Sequence, residues 1–77
     1  MSDKKICSVV APLPGKIVDI KVQVETEIKI DKVVLILEAM KMENEIVADL
    51  DGVVKEIKVK VGDVVNTGEE LVIIENV

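Results

Sequence analysis

One lysine of this chain is set apart by its neighbours. Lys41 lies between Met40 and Met42 in the segment EAMKMENE, residues 38–45, and the chain has ten lysines but no arginine, histidine or aromatic residue. An exposed lysine amine on its flexible stem can act as a nucleophile, and two large, flexible apolar residues beside it form an adaptable recognition surface. The alternative is an ordinary solvated lysine, with methionines that pack against the end of the core.

Other chemistries lack their usual residues. Without histidine, and with Cys7 as the only cysteine, the chain has no ordinary ligand set for zinc, haem or an iron–sulfur cluster, and no Cys–His or Ser–His pair. Carboxylates could act as acid and base, but five of them alternate with Val or Ile, which is typical of the solvent side of strands: Asp19, Glu25, Glu27, Asp31 and Glu56. We therefore expect a non-catalytic domain with no metal ligand.

Charge and hydropathy limit the kinds of partner that this chain is expected to bind and the compartment in which it is expected. The net charge is −5, with lysines and acids interspersed, and this disfavours nucleic acid because no concentrated basic face or stacking aromatic is present. The longest apolar run, residues 33–37, is too short to span a bilayer, and no secretory leader precedes it. Cys7 has no partner for an internal disulfide and is expected to be a small buried residue. These features predict a cytoplasmic protein without membrane insertion.

Length and composition predict the fold class. The 77 residues form one domain, with an ordered core expected at about residues 6–76, and 26 of them are Val or Ile. These β-branched types lose rotamer freedom in helices and pack well in sheets. An all-β fold is predicted.

The sequence repeats itself after 37 residues. This shift aligns Gly15 with Gly52, Ile20-Lys21-Val22 with Ile57-Lys58-Val59, and Glu38 with Glu75, and it gives nine identities in the thirty pairs that begin at residue 11. Each half has a Pro- or Gly-rich turn, an alternating strand, a polar corner and a continuous apolar strand, and the continuous run implies that both faces of that strand are buried. Two such halves predict a flattened β-barrel or sandwich of about eight short strands, in which two four-stranded halves are related by a pseudo-twofold axis.

The repeat also predicts the position of Lys41. Met40 aligns with Val77, so the segment around Lys41 occupies the place that the chain termini occupy in the other half. Lys41 is therefore expected at the tip of a hairpin, far from both chain ends. Neither Met nor Lys is a preferred turn former, which suggests that these side chains have another function.

These residues resemble a known family. EAMKMENEI is similar to the attachment sequence of biotinyl domains, the biotin carboxyl carrier modules of biotin-dependent carboxylases, transcarboxylases and decarboxylases. The similarity runs from APLPGKI at Ala11 to GEELVIIE at Glu75 and includes DGVVKEIKVKVGDVVNTG. The resemblance implies that Lys41 carries biotin in amide linkage and that the fold is a flattened barrel of two four-stranded halves.

The chain departs from the family pattern in its first half. Glu25 and Asp31 stand where the family commonly has glycine, whereas Gly62 and Gly68 are kept in the second half. If the backbone there has positive φ, the first corner is built differently or is less stable. The protruding thumb of some members has no counterpart insertion, and the Ala/Pro-rich tether that often precedes the domain is absent.

The family resemblance also implies a mechanism and partners. A biotin protein ligase attaches biotin, and the arm then carries a carboxyl group between a biotin carboxylase and a carboxyltransferase or decarboxylase. The ligase must refuse nine other lysines, so residues around the hairpin are expected to guide it. Met40 and Met42 are the main candidates, with core packing as the alternative for Met42, and the weaker candidates are Glu38, Ala39, Glu43 and Asn44.

Two other functions compete with the biotin carrier. A lipoyl carrier shares the fold and the hairpin lysine, but lipoyl domains usually have an acidic residue before that lysine and Ala after it. A cofactor-free β adaptor that binds another protein has no residue in its favour. The methionines on both sides of Lys41 favour biotin.

Overall fold

The computed structural model describes residues 5–76, and all regular elements in that range are strands. The eight strands are β1 (Lys5–Val10), β2 (Gly15–Ile20), β3 (Glu27–Ile28), β4 (Val33–Ala39), β5 (Met42–Val47), β6 (Gly52–Ile57), β7 (Val64–Val65) and β8 (Glu70–Asn76). The all-β prediction is confirmed. Val77, which the repeat pairs with Met40, lies outside the described residues.

The strands form two antiparallel four-stranded sheets. Sheet 1 has the order β1-β8-β6-β3 and sheet 2 the order β5-β4-β2-β7. Each sheet therefore takes two strands from each half of the sequence. The two halves share both sheets because β4 pairs with β5 in sheet 2 and β1 pairs with β8 in sheet 1. The prediction of a flattened sandwich is confirmed.

The sequence repeat is also a structural repeat. A shift of 37 residues carries β1–β4 onto β5–β8 with identical strand bounds. Outside the ladders, the fourteen backbone hydrogen bonds found for the described residues form seven pairs under the same shift. For example, the Glu25 N–H donates to the Val54 carbonyl at 2.7 Å, and the Gly62 N–H donates to the Ile17 carbonyl at 2.7 Å. Both bonds join one half to the other, as a pseudo-twofold axis requires.

The core lies between the sheets and obeys the same symmetry. No polar or charged side chain is buried within residues 5–76. Eight pairs of buried residues are related by the repeat: Val9/Ile46, Ala11/Ala48, Ile17/Val54, Val22/Val59, Ile28/Val65, Val34/Leu71, Leu35/Val72 and Leu37/Ile74. Burial of this apolar surface is the main stabilising term, at about 25 cal/mol per Å² removed from water.

The continuous apolar strands pack differently from the expectation. We expected β4 to be buried on both faces, but Ile36 is only half-buried, while Val34 and Leu35 are both in the core. The register of β4 against β5 shifts between Val33 and Leu35, and this irregularity lets two successive side chains face inward. The continuous apolar sequence of β4 is thus explained in part by this bulge, and not only by burial of both faces of the strand.

Two glycines have a different role from the predicted tight turns. Gly15 and Gly52 begin β2 and β6, where a Cβ atom would collide with the carbonyl oxygens of Glu38 and Glu75. These contacts are again related by the 37-residue shift. The two glycines therefore allow close approach of strands, whereas Gly62 and Gly68, with φ of 100° and 86°, occupy corners that need positive φ.

The first-half corners keep this backbone without glycine. Glu25 and Asp31, the equivalents of Gly62 and Gly68, have φ of 70° and 72°. Such a conformation costs a non-glycine residue about 1–2 kcal/mol, less for Asp, which hydrogen-bonds locally.

Carboxylates of the same turn support only the second-half corners, whereas in the Asp31 corner the Ile30 N–H donates to the distant Asp51 Oδ1 at 2.7 Å. The Lys60 N–H donates to Asp63 Oδ2 and the Asn66 N–H donates to Glu69 Oε1, both at 3.0 Å. The equivalents of the two acids are Thr26 and Lys32, and neither makes such a bond among the described residues.

Other sequence expectations have mixed outcomes. Cys7 is half-buried rather than buried, because β1 is an edge strand of sheet 1. Of the five alternating acids four are exposed and Asp19 is half-buried. No helix within residues 5–76 is long and apolar enough to cross a membrane.

The strain at Glu25 predicts a stabilising substitution. Glu25→Gly should raise the free energy of unfolding by about 0.5–1 kcal/mol, because relief of positive φ exceeds the added entropy of the unfolded chain. Urea unfolding followed by circular dichroism measures the change. Glu25→Ala is the matched control, because it removes the same side chain and its exposed ion pair with Lys55 but keeps the Cβ. An equal or greater gain in Glu25→Ala would contradict the explanation from backbone strain.

Candidate functional site

Lys41 lies in a two-residue hairpin turn. Ala39 at the end of β4 pairs with Met42 at the start of β5, so Met40 and Lys41 are the central residues. Their φ angles are 55° and 65°, as in a type I′ turn, whose twist matches that of the flanking strands. The sequence prediction of a hairpin at this position agrees with the structure.

The turn is conformationally unfavourable for its own residues. Type I′ turns prefer Asn-Gly because both central residues need positive φ, and Met and Lys each lose about 1–2 kcal/mol there. The β4–β5 ladder, with six paired positions from Val33↔Val47 to Ala39↔Met42, holds the turn against this strain. Strained backbone of this kind is enriched at functional sites.

Asn44 braces the hairpin. Its Nδ2 donates to the Leu37 carbonyl at 3.3 Å and to the Met42 carbonyl at 3.2 Å, so it joins β4 to the first residue of β5. The side chain is half-buried and already committed to these bonds. Ala39 is 5% exposed, and its small side chain fills the base of the turn. Of the six predicted recognition residues, these two therefore support the hairpin from within.

The methionines point into solvent. Met40 is 85% exposed and Met42 is 66% exposed, so the alternative in which they pack against the end of the core is wrong. Two apolar side chains this exposed contribute little to folding. They are available for contact with another molecule on both sides of Lys41, and Glu38 and Glu43 are exposed as well.

The Lys41 side chain is exposed and is in none of the ion pairs found for residues 5–76. No cavity or cleft was found in the described part of the chain, and no group of three His, Cys, Asp or Glu side chains could hold a metal ion. The amine is thus presented on the surface. It can form an amide with an activated carboxylic acid.

The hairpin is at one end of the domain, and the ends of the described part of the chain, Lys5 and Asn76, are at the other. β2 begins beside Glu38 and runs away from the turn. Beyond the end of β2, the Glu25 N–H donates to the Val54 carbonyl. Val53, which precedes Val54 on β6, pairs with Glu75 of β8, and the next residue of β8, Asn76, pairs with Lys5. Neighbouring domains attached at the ends would therefore leave Lys41 unobstructed.

A row of exposed side chains lies next to the turn. The strand register places Glu43, Glu38, Lys16 and Val64 side by side across β5, β4, β2 and β7, and we call these four residues the hairpin-end row. Glu38 and Glu43 are directly paired, and like charges in that position are unfavourable for a sheet. Val64 was not identified from the sequence, although an apolar residue at the position equivalent to Glu27 was a signal that could have found it.

The outer face of sheet 2 is acidic near the turn. The hydrogen bond and the 2.7 Å ion pair with Lys21 lower the pKa of Asp19, and the same contact raises the pKa of Lys21. The charges of Glu43 and Glu45 also raise the pKa of Lys21. On sheet 1, a hydrogen bond from the Ser8 hydroxyl lowers the pKa of Glu70, so this perturbed carboxyl belongs to a separate surface.

The turn predicts a gain in stability when its residues are replaced by preferred turn formers. Met40→Asn with Lys41→Gly should raise the free energy of unfolding by about 1–2 kcal/mol, because Asn and Gly tolerate positive φ. A domain of this size would then melt about 4–8 °C higher for each kcal/mol. Met40→Ala with Lys41→Ala is the control, since it shortens both side chains without relieving strain. A melting temperature no higher than that of the control would show that the turn is not strained.

Comparison with known proteins agrees with this geometry. Residues 7–74 match the profile of the biotin/lipoyl family described as "biotin-requiring enzyme". The chain is 47% identical over 64 residues to a biotin carboxyl carrier protein of Streptococcus mutans, which covers 83% of the chain and 49% of that protein. It is 45% identical over 65 residues to pyruvate carboxylase of Staphylococcus aureus, covering 84% of the chain and 6% of the carboxylase.

A solved structure shares the fold. A single-chain, multi-domain long-chain acyl-CoA carboxylase superposes with a TM-score of 0.87 at 25% identity, over 94% of this chain and 7% of that one. The chain thus spans about half of the carrier protein and only a small part of the two carboxylases. The chain belongs to the family of biotin-requiring enzymes, in which it is a biotinyl domain.

Proposed function

We propose that this domain is a biotin carboxyl carrier that bears biotin in amide linkage on Lys41. The observation that carries the proposal is the two-residue turn, which presents the Lys41 amine to solvent on strained backbone between two exposed methionines. Among the lysines within residues 5–76, Lys41 alone has positive φ. The domain itself is a non-catalytic part of a biotin-dependent enzyme.

Attachment is an acyl transfer. The deprotonated Lys41 amine attacks the activated carboxyl carbon of biotin, a C–N bond forms, and the bond to the leaving group breaks. The Lys41 ammonium loses one proton to become the attacking amine, and the nitrogen loses a second proton as the neutral amide forms, so the net charge of the chain changes from −5 to −6. A biotin protein ligase supplies the activated biotin and the catalytic groups.

The biotinylated lysine then works as a swinging arm. With biotin bound to Lys41, the arm would carry a carboxyl group from a biotin carboxylase site to a carboxyltransferase or decarboxylase site. Tethering replaces free diffusion with an effective concentration on the order of mM. The separation of the hairpin from the chain termini supports this function because a linker at the far end does not restrict the arm. The cytoplasm, where a free thiol such as Cys7 stays reduced, is the proposed compartment.

Biotinylation is the direct test of the proposal. The domain, co-expressed with a biotin protein ligase, should gain the mass of one biotinyl group, and peptide mapping should find that group on Lys41. Lys41→Arg should abolish the gain and leave the melting temperature nearly unchanged, because an exposed turn residue contributes little packing.

Lys55→Arg is the matched control, since Lys55 is an exposed lysine on β6. The Lys55→Arg variant should be biotinylated to the same extent as the original chain. No added mass, or modification at another lysine, would refute the biotin carrier. Modification by a lipoyl ligase instead would establish the lipoyl carrier.

The methionines should determine which ligase acts. Met40→Asp with Met42→Ala introduces an acidic residue before Lys41 and Ala after it, so biotinylation should weaken and recognition by a lipoyl ligase should increase. Both side chains are exposed, and the fold should therefore tolerate the change. Initial rates of modification by each ligase measure the shift, with Val24→Asp and Ile30→Ala as controls away from the turn. Unchanged biotinylation would mean that the position of the amine alone suffices.

A further inference from the structure

The hairpin-end row forms a surface continuous with the turn. Its four side chains are exposed, while the preceding or following residues Leu37, Ile17 and Val65 face the core. Three strand spacings separate Glu43 from Val64, so the row is about 15 Å wide. It begins two residues from Met40 on β4 and ends at the β6–β7 corner.

Pseudo-twofold symmetry provides an internal comparison for this row. The equivalent residues at the end with the chain termini are Ile6, Glu75, Val53 and Glu27, which we call the termini-end row. Glu38 and Glu75 are identical equivalents, and the other three positions differ. Val64 is 77% exposed, and its equivalent is the exposed Glu27. Because the fold accepts a glutamate at that position, the apolar character of Val64 is not required by packing.

A second exposed valine accompanies Val64. Val61 is 60% exposed and precedes Gly62, whose N–H donates to the Ile17 carbonyl of β2 at 2.7 Å. Both valines therefore lie at the corner next to β2, on the side of the domain where the hairpin is. Exposed apolar residues grouped in this way mark contact surfaces more often than isolated ones do.

The size of a contact explains why such a surface is needed. Even weak specific complexes bury several hundred Å² on each partner. Two methionines at a hairpin tip do not provide that area. Unmodified Lys41 has only its own stem to reach into an active site, so the enzyme that acylates it must come against the body of the domain. Once biotin is attached, the longer arm allows later active sites to stand away.

We propose that the hairpin-end row is the docking surface for the biotin protein ligase, and that Val64, with Val61 beside it, determines the specificity for Lys41. The inference rests on the proposed function. Glu38 and Glu43 face cationic groups of the ligase, which would relieve the repulsion between these two directly paired carboxylates. Val64 fits an apolar site at the other end of the row.

The experiment compares matched charge additions at the two ends of the domain. Val64→Glu gives the hairpin end the residue that the termini end already has, and Val24→Glu adds the same charge at Val24, the exposed equivalent of Val61. Purified biotin protein ligase acts on each variant with saturating biotin and ATP, and KM and kcat for the domain are measured. Val64→Glu should raise KM about tenfold or more with kcat little changed, since an unpaired charge enters the interface while the amine stays in place. Val24→Glu should remain within about twofold of the original chain, as expected for a charge outside the contact.

Each outcome decides the inference. Equal KM for the two variants would overturn it, and so would an unchanged ligase KM with impaired carboxylation by a biotin carboxylase, because the surface would then serve a later partner. If Val64→Glu unfolds, Val64→Thr keeps β-branching and decides the case by the same KM test. Failure of the unaltered chain to be biotinylated at all would instead refute the proposed function.

Discussion

The β4–β5 ladder is the interaction on which the site depends. It joins a central strand of sheet 2 to an edge strand through six paired positions, and it forces Met40 and Lys41 into positive φ. The buried Ala39 and the two hydrogen bonds of the Asn44 side chain fix the residues of this ladder that are nearest to the turn. Because this ladder is anchored in the core by Leu35 and Leu37, the strain of the turn is borne by the whole sandwich. A flexible loop would expose the same amine without holding it in one place.

Symmetry separates what the fold requires from what the site requires. The eight buried residue pairs, the paired hydrogen bonds and the two close glycine contacts all repeat after 37 residues, so they belong to the architecture. The differences between the two ends have no such explanation. Where Met42, Glu43 and Val64 stand near the turn, the other end has Lys5, Ile6 and Glu27. The exposed residues that break the repeat are therefore the ones that distinguish the end with the Lys41 hairpin from the opposite end, where Lys5 and Asn76 lie.

Stability is unevenly distributed between the halves. The corners of the second half combine glycine at positive φ with carboxylate caps from Asp63 and Glu69. Glu25 adopts the same backbone without either aid, and next to Asp31 only the Ile30 N–H has a carboxylate acceptor, Asp51 Oδ1. The Glu25 corner lies beside Val54 and Val53, toward the chain termini and away from Lys41. Strain there does not disturb the presentation of the amine, which explains how the domain can retain it.

The sequence by itself determined the fold class and the repeat, and it singled out Lys41. Val and Ile content predicts strands, the 37-residue shift predicts equivalent halves and a hairpin at Lys41, and EAMKMENEI carries the resemblance to biotinyl domains. These are properties of local pattern, which one chain displays without reference to contacts. Only the tertiary structure decided that each sheet mixes both halves, that a bulge turns Val34 and Leu35 inward together, and that both methionines are exposed. It also decided that Val64 lies in a row with Lys16 and Glu38, because strand register brings together residues that are far apart in the chain.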